Sequence, residues 1–280
     1  MAWFLKRSVK GGLQKVGGSM GLQEIASTQH QIVTELRKLR DICNRIQYQM
    51  PVAPDSLPIP PRELHALVSG DDELDMSAFF DVGRFCADSV VGLLKKRDLE
   101  IDDPGAILDF GCGYGRVMRY FNSLKKAKKL YGTDYNPKLV DWCKKNLPFA
   151  EFEVNALGPP MVYRDGSFGL IYAFSVFTHL AEALQVSWLA KLSKVLKPGG
   201  YLLLTTQGAA YAETFLSPRQ REQFRSGELV VLNGGSSCTN YCCTFHPATY
   251  VQQSLVKGFE ILEFVPGEGR AGYQTRTLTS

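Results

Sequence analysis

No apolar run in the chain approaches the ~18 residues that a membrane-spanning helix requires. The first ten residues, Met1 to Lys10, lack the long apolar centre of a secretion signal. A disulfide framework is also absent: the seven cysteines (Cys43, Cys86, Cys112, Cys143, Cys238, Cys242, Cys243) are odd in number and mostly scattered through 280 residues. That usage suits reduced thiols and a cytoplasmic setting. A net charge of +4 gives no ground for a nucleic-acid partner. There is no G-x-x-x-x-G-K-[ST] phosphate loop. Cys238-x-x-x-Cys242-Cys243-x-x-His246 offers four zinc-ligand types, but a second separated pair is missing and adjacent cysteines point apart. No metal site is expected there.

With 45% apolar and 21% charged residues, the composition is that of a globular protein with a sizeable core. Residues 1–21 read as a flexible basic terminus, because Gly11, Gly12, Gly17, Gly18 and Gly21 break any helix. Trp3, Phe4 and Leu5 beside Lys6, Arg7 and Lys10 could touch an anionic membrane surface weakly, without firm insertion. Residues 22–50 keep a heptad rhythm through Leu22, Ile25, Gln29, Ile32, Leu36, Leu39, Cys43, Ile46 and Met50. Two readings stay open: a helix lying on its own domain, or a homodimer through Leu22–Met50. Five prolines between Pro51 and Pro61 make a semi-rigid spacer, and residues 51–75 hold a short helix from Arg62.

From residue 76 the pattern is helix, then alternating strand and helix, which predicts a doubly wound parallel sheet. Ala106–Phe110 is the first strand. It runs into Gly111-Cys112-Gly113-Tyr114-Gly115-Arg116, and a helix is expected from Arg116 to about Leu124. A glycine turn at a helix start lets a ligand approach bare backbone. The dinucleotide pattern G-x-G-x-x-G fails here, because Arg116 holds the third glycine's slot. Asp109 at the strand's end would repel a pyrophosphate and suits an ammonium-bearing ligand.

The pattern Asp109-x-Gly111-x-Gly113-x-Gly115 resembles motif I of the class I S-adenosylmethionine-dependent methyltransferases. Three further marks occur in order. Tyr131-Gly-Thr-Asp134-Tyr135-Asn136 resembles motif II. Ser175-Val-Phe-Thr-His179-Leu180 follows the fourth strand. Leu196-Lys-Pro-Gly-Gly200 leads into the fifth. The resemblance covers roughly Ala106 to Leu278 and implies a Rossmann-like seven-stranded α/β sheet whose last strand is antiparallel. It also implies S-adenosylmethionine as cofactor, held by Asp109, Gly111, Cys112, Gly113 and Gly115. Asp134 would take the ribose hydroxyls and Tyr135 the adenine face. Asn155, Ala156, Leu157 and Ser175 would complete the site. The local phrases look most like small-molecule or glycan-modifying members from bacterial biosynthetic clusters.

A methyl transfer to oxygen, less readily to nitrogen, is therefore expected, with His179 as general base and His246 as a second candidate. No Asn/Asp-Pro-Pro-Tyr/Phe tetrapeptide follows strand four, which disfavours DNA adenine as acceptor. The domain is placed at 76–280, with an acceptor lid at 207–246. The lid should hold a helix at Ser217–Arg225 and a strand at Glu228–Leu232. Two other functions stay open: an NAD-dependent oxidoreductase, and a non-catalytic cofactor-binding scaffold that dimerises.

Overall fold

The computed structural model describes residues 28, 31–39, 55–69, 76–101, 105–122, 129–239, 241–265 and 274–279. It divides into two compact units, Met1–Gln49 and Met50–Ser280. In the first, residues 31–39 are helical. The side chains of Ile32, Val33, Leu36 and Leu39 are exposed, and Lys38 pairs with Glu35 at 2.8 Å. The basic terminus at 1–21 and most of the heptad stretch lie outside the described residues.

The second unit opens with α1 (Arg62–Ser69) and α2 (Met76–Lys95). A seven-stranded sheet follows: β1 (Ile107–Phe110), β2 (Leu130–Asp134), β3 (Glu151–Val154), β4 (Phe168–Ala173), β5 (Leu196–Thr206), and, after the lid, β8 (Glu260–Val265) and β9 (Gln274–Thr279). The spatial order is β3-β2-β1-β4-β5-β9-β8, with β9 antiparallel to both neighbours. The expected Rossmann-like architecture is thus observed. β1 and β4 are buried along their whole length, as strands covered on both faces must be.

The covering layers follow from the helical apolar spacing. On one face, Val90 and Leu94 of α2 pack with Val140 and Cys143 of α3 (Pro137–Asn146). On the other, Trp188, Leu189 and Leu192 of α4 (Glu182–Val195) pack with Val251 and Leu255. Asn136 caps α3 by accepting from the Lys138 N–H, and Pro137 fills the first helical position.

Three expectations need correction. The helix expected from Arg116 is a series of turns ending in a single 3₁₀ turn, Met118–Phe121. Gly113 and Gly115 hold left-handed backbone (φ +54° and +75°), which interrupts α-helical winding. Arg119 is drawn inward, 2% exposed, with its guanidinium paired to Asp55 and lying 5.0 Å from the Phe79 ring centre. The Lys-Pro-Gly-Gly stretch does not precede β5. Leu196 already pairs with Phe168, and residues 197–200 form a register shift inside the strand. The 207–246 insertion is more ordered than expected. It comprises α5 (Ala209–Phe215), α6 (Pro218–Arg225), β6 (Val230–Leu232) and β7 (Cys243–Phe245), and the two strands make a small antiparallel sheet.

Candidate active site

The chain reverses direction across the sheet between β1 and β4, and there the strand ends splay to leave a crevice. Gly111 turns out of β1 with φ +79°, and a Cβ there would stand 2.2 Å from Val176 Cγ2. The N–H groups of Gly111 and Cys112 donate to the Thr133 carbonyl at 2.8 and 3.0 Å, tying the turn to β2. The Gly113 N–H donates to Asp134 Oδ2 and the Asn136 N–H to Oδ1, each at 2.9 Å. Asp134 is thereby held in one orientation. Burial raises its pKa, and the backbone donors oppose that rise.

Asp109 is only 3% exposed. Burial pushes its carboxyl up to about 8, with the Tyr172 hydroxyl opposing and the nearby Asp134 adding to the rise. Its Oδ2 has no protein hydrogen-bond partner. A buried carboxylate oxygen without a donor is costly unless a ligand supplies one.

Across the crevice, two residues beyond the end of β4, stands Ser175, a non-glycine residue in left-handed backbone (φ 57°) whose N–H donates to Thr205 Oγ1 at 2.8 Å. The turn Phe177–His179 follows. His179 Nδ1 lies 2.8 Å from the Cys242 carbonyl oxygen. A carbonyl can only accept, so the proton sits on Nδ1 and Nε2 keeps its lone pair. Burial lowers the His179 pKa, and the Cys242 carbonyl works against that. The ring is therefore neutral near pH 7.

These elements enclose a cavity of about 480 Å³. Among the predicted site residues it brings together Asp109, Gly111, Cys112, Gly113, Asp134, Tyr135, Asn155, Ser175 and His179. The other four lie elsewhere. Gly115 is a packing glycine: a Cβ would meet Leu147 Cδ1 at 2.3 Å. Ala156 and Leu157 do not line the cavity; the Ala156 carbonyl accepts from Asn155 Nδ2 and the Leu157 carbonyl from Trp188 Nε1.

His246 is 1% exposed and sits behind the cavity wall, against Gln185. The Gln185 amide nitrogen donates to the Phe177 and Leu180 carbonyls. Its oxygen therefore accepts from His246 Nε2–H at 3.0 Å. Burial lowers the His246 pKa to about 3, so His246 braces the β4–α4 connection and does not reach an acceptor. Of the tempting cysteines, Cys238 lines the cavity and Cys242 is buried. Among the described residues no three His, Cys, Asp or Glu side chains are gathered as metal ligands.

Other cavity residues carried no sequence signal. Val68 from α1 lies over the glycine turn, its Cγ2 3.4 Å from where a Gly113 Cβ would be. Thr205 and Thr206 end β5, Gln207 follows it, and Tyr211 and Thr239 come from the 207–246 insertion. Only the end of a strand followed by an insertion could have suggested the last five.

The residues fit S-adenosylmethionine. Asp109 offers an unmatched acceptor for an ammonium, Gly111 and Gly113 offer bare backbone, and Asp134 offers a fixed carboxylate for hydroxyl donors. Comparison with known proteins agrees. The family described as "Methyltransferase domain" matches residues 108–204. An uncharacterized methyltransferase of Synechocystis sp. is 28% identical over 111 residues, covering 40% of this chain and 51% of that one. Malonyl-[acyl-carrier protein] O-methyltransferase of Halalkalibacterium halodurans is 28% identical over 159 residues, covering 54% and 56%. The chain thus spans about half the length of these two relatives. In fold it is similar to Streptomyces venezuelae DesVI, with TM-score 0.50 and 16% identity over 74% of this chain and 98% of that one. The motif order, the strand order and the match over 108–204 converge: residues 108–204 carry a methyltransferase domain.

Proposed function

We propose that the protein transfers a methyl group to a hydroxyl oxygen of a small-molecule or sugar acceptor, with His179 as general base. The observation that carries this reading is the His179 tautomer: the Cys242 carbonyl fixes the proton on Nδ1, leaving Nε2 basic in a residue that lines the cavity. When bound, S-adenosylmethionine supplies an already activated sulfonium methyl. The chain's own work is positioning and proton removal. Asp134 and the Gly111–Gly113 backbone hold one end of the cavity. His179 Nε2 takes the proton of the acceptor hydroxyl, and the Nδ1 hydrogen bond stabilises the imidazolium that results. An amine acceptor that reacts as the free base does not demand such a group, which is why oxygen is preferred here.

The test is His179→Ala assayed with S-adenosylhomocysteine binding in parallel. Turnover should fall by about 10²–10⁴-fold, the usual worth of a positioned general base, with cofactor affinity unchanged. Full activity would discard the role.

Self-association is part of the same proposal. Ile32, Leu36 and Leu39 are exposed seam positions of the heptad pattern, which supports pairing through Leu22–Met50. Deleting residues 1–50 should convert a dimer to a monomer by light scattering. The free state of Cys86, Cys112, Cys143, Cys238 and Cys242 supports a reducing compartment, the cytoplasm.

A further inference from the structure

The two halves of the cavity differ in charge. Asp109, Asp134 and Arg116 all belong to the β1–β2 half. At the ends of β4 and β5, and on the lid facing them, the described lining residues include no Asp, Glu, Lys or Arg. Beside the His179 imidazole and the Cys238 thiol, their polar groups are hydroxyls and one amide, chiefly those of Thr178, Thr206, Gln207, Tyr211 and Thr239. Gln207 stands out. Its backbone is fixed, because its carbonyl accepts from the His246 N–H at 2.7 Å. Its side-chain Oε1 is buried without a hydrogen-bond partner. Strand β7 lies between the two anchor points: the Cys242 carbonyl at one end holds His179, and the His246 N–H at the other holds Gln207. One short strand of the insertion thus holds the ring of the base and the backbone of Gln207.

We infer that the acceptor is an uncharged sugar, bound through a hydroxyl that donates to Gln207 Oε1 while a second hydroxyl faces His179. This rests on the methyl-transfer reading and names the substrate class of the same site. A carboxylate, phosphate or ammonium on the acceptor would be stripped of water against a wall that offers no compensating charge, and the loss of hydration would not be repaid. A neutral polyol loses only hydroxyl hydration, which threonine hydroxyls and the amide replace. A sugar also matches a wall of small donors and acceptors with aromatic rings, Tyr211 and Phe174 among them.

The experiment uses the full chain saturated with S-adenosylhomocysteine. Saturation-transfer NMR is recorded with neutral methyl glycosides of the common hexoses and 6-deoxyhexoses, then with their uronic-acid, amino and 6-phosphate counterparts. At least one neutral glycoside should bind, and its charged counterparts should bind at least tenfold more weakly. Gln207→Leu should weaken the neutral glycoside at least tenfold, with S-adenosylhomocysteine affinity held within twofold. Gln207→Glu, of nearly the same size, should lose neutral selectivity and favour the amino sugar. Binding confined to charged sugars or to none, or unchanged binding in both variants, overturns the inference. If S-adenosylhomocysteine itself does not bind, the underlying methyl-transfer reading fails instead.

Discussion

The two halves of the cavity are built by different means. The β1–β2 half is made largely of backbone: two glycines in left-handed conformations, their N–H groups, and two carboxylates at strand ends. The β4–β5 half is made of side chains on a loop and a lid, with a neutral imidazole as its chemical centre. A backbone-built half tolerates almost no substitution but can bind the same cofactor in many contexts. A half built of side chains can change acceptor without disturbing the fold, which is why the acceptor is so hard to read from sequence.

The largest effects should come from the backbone of the first half. Gly111→Ala places a Cβ 2.2 Å from Val176 and forces alanine to φ +79°. Left-handed strain of about 1–2 kcal/mol and overpacking of about 1–3 kcal/mol act together. The variant should unfold at clearly lower urea and lose cofactor binding. Gly115→Ala, 2.3 Å from Leu147, should lose similar stability although Gly115 lines no cavity. If Gly115→Ala were as stable as wild type, the packing role assigned to it would be wrong.

Asp134→Ala should come next, with S-adenosylhomocysteine affinity reduced about 10–100-fold. It removes an acceptor for ligand hydroxyls and also frees the Gly113 and Asn136 N–H groups. Calorimetry reads this directly.

Asp109 adds a proton to the comparison. Its carboxyl is raised to about 8 in the fold against 3.8 in the unfolded chain. The native state therefore holds this proton more tightly, so the contribution to stability is full below pH 4. It is progressively lost as pH rises from about 4 to about 8. Binding an ammonium requires the ionised form, so cofactor affinity should rise with pH up to about 8, by at most tenfold per pH unit. Asp109→Asn should flatten both profiles: thermal stability near pH 8 goes up while cofactor affinity goes down. Parallel loss of both would contradict the account.

The smallest expected effect belongs to the second half. Thr205→Val deletes the acceptor that holds the strained Ser175 N–H, at a cost of about 1 kcal/mol. It should slow turnover modestly with unchanged cofactor binding.

The same division explains what was legible in the sequence. Asp109, the glycine turn and Asp134 were readable because each occupies a fixed place on a strand end, and the spacing between them is set by the single connection from β1 to β2. Gly115 belonged to the pattern, yet its role is packing against Leu147, which only the third dimension displays. The expected helix after Arg116 failed because left-handed glycines and the inward pull of Asp55 on Arg119 outweigh local helix preference. His179 was singled out from its place after β4, whereas its tautomer depends on Cys242, 63 residues away. His246 was misjudged because its neighbours looked like a lid cluster, while Gln185 draws it behind the wall. Val68 had no local signal, coming from a short helix after a proline-rich stretch, and Gln207 was marked only as the first residue of the insertion after β5.

The central claim is that the carboxylate half holds the cofactor and the neutral half handles the acceptor. Calorimetric titration of S-adenosylhomocysteine into wild type, Asp134→Ala and His179→Ala tests it most directly. The account predicts tight binding in wild type, at least a tenfold loss in Asp134→Ala, and wild-type affinity in His179→Ala. Equal affinity in Asp134→Ala, or a comparable loss in His179→Ala, would contradict it.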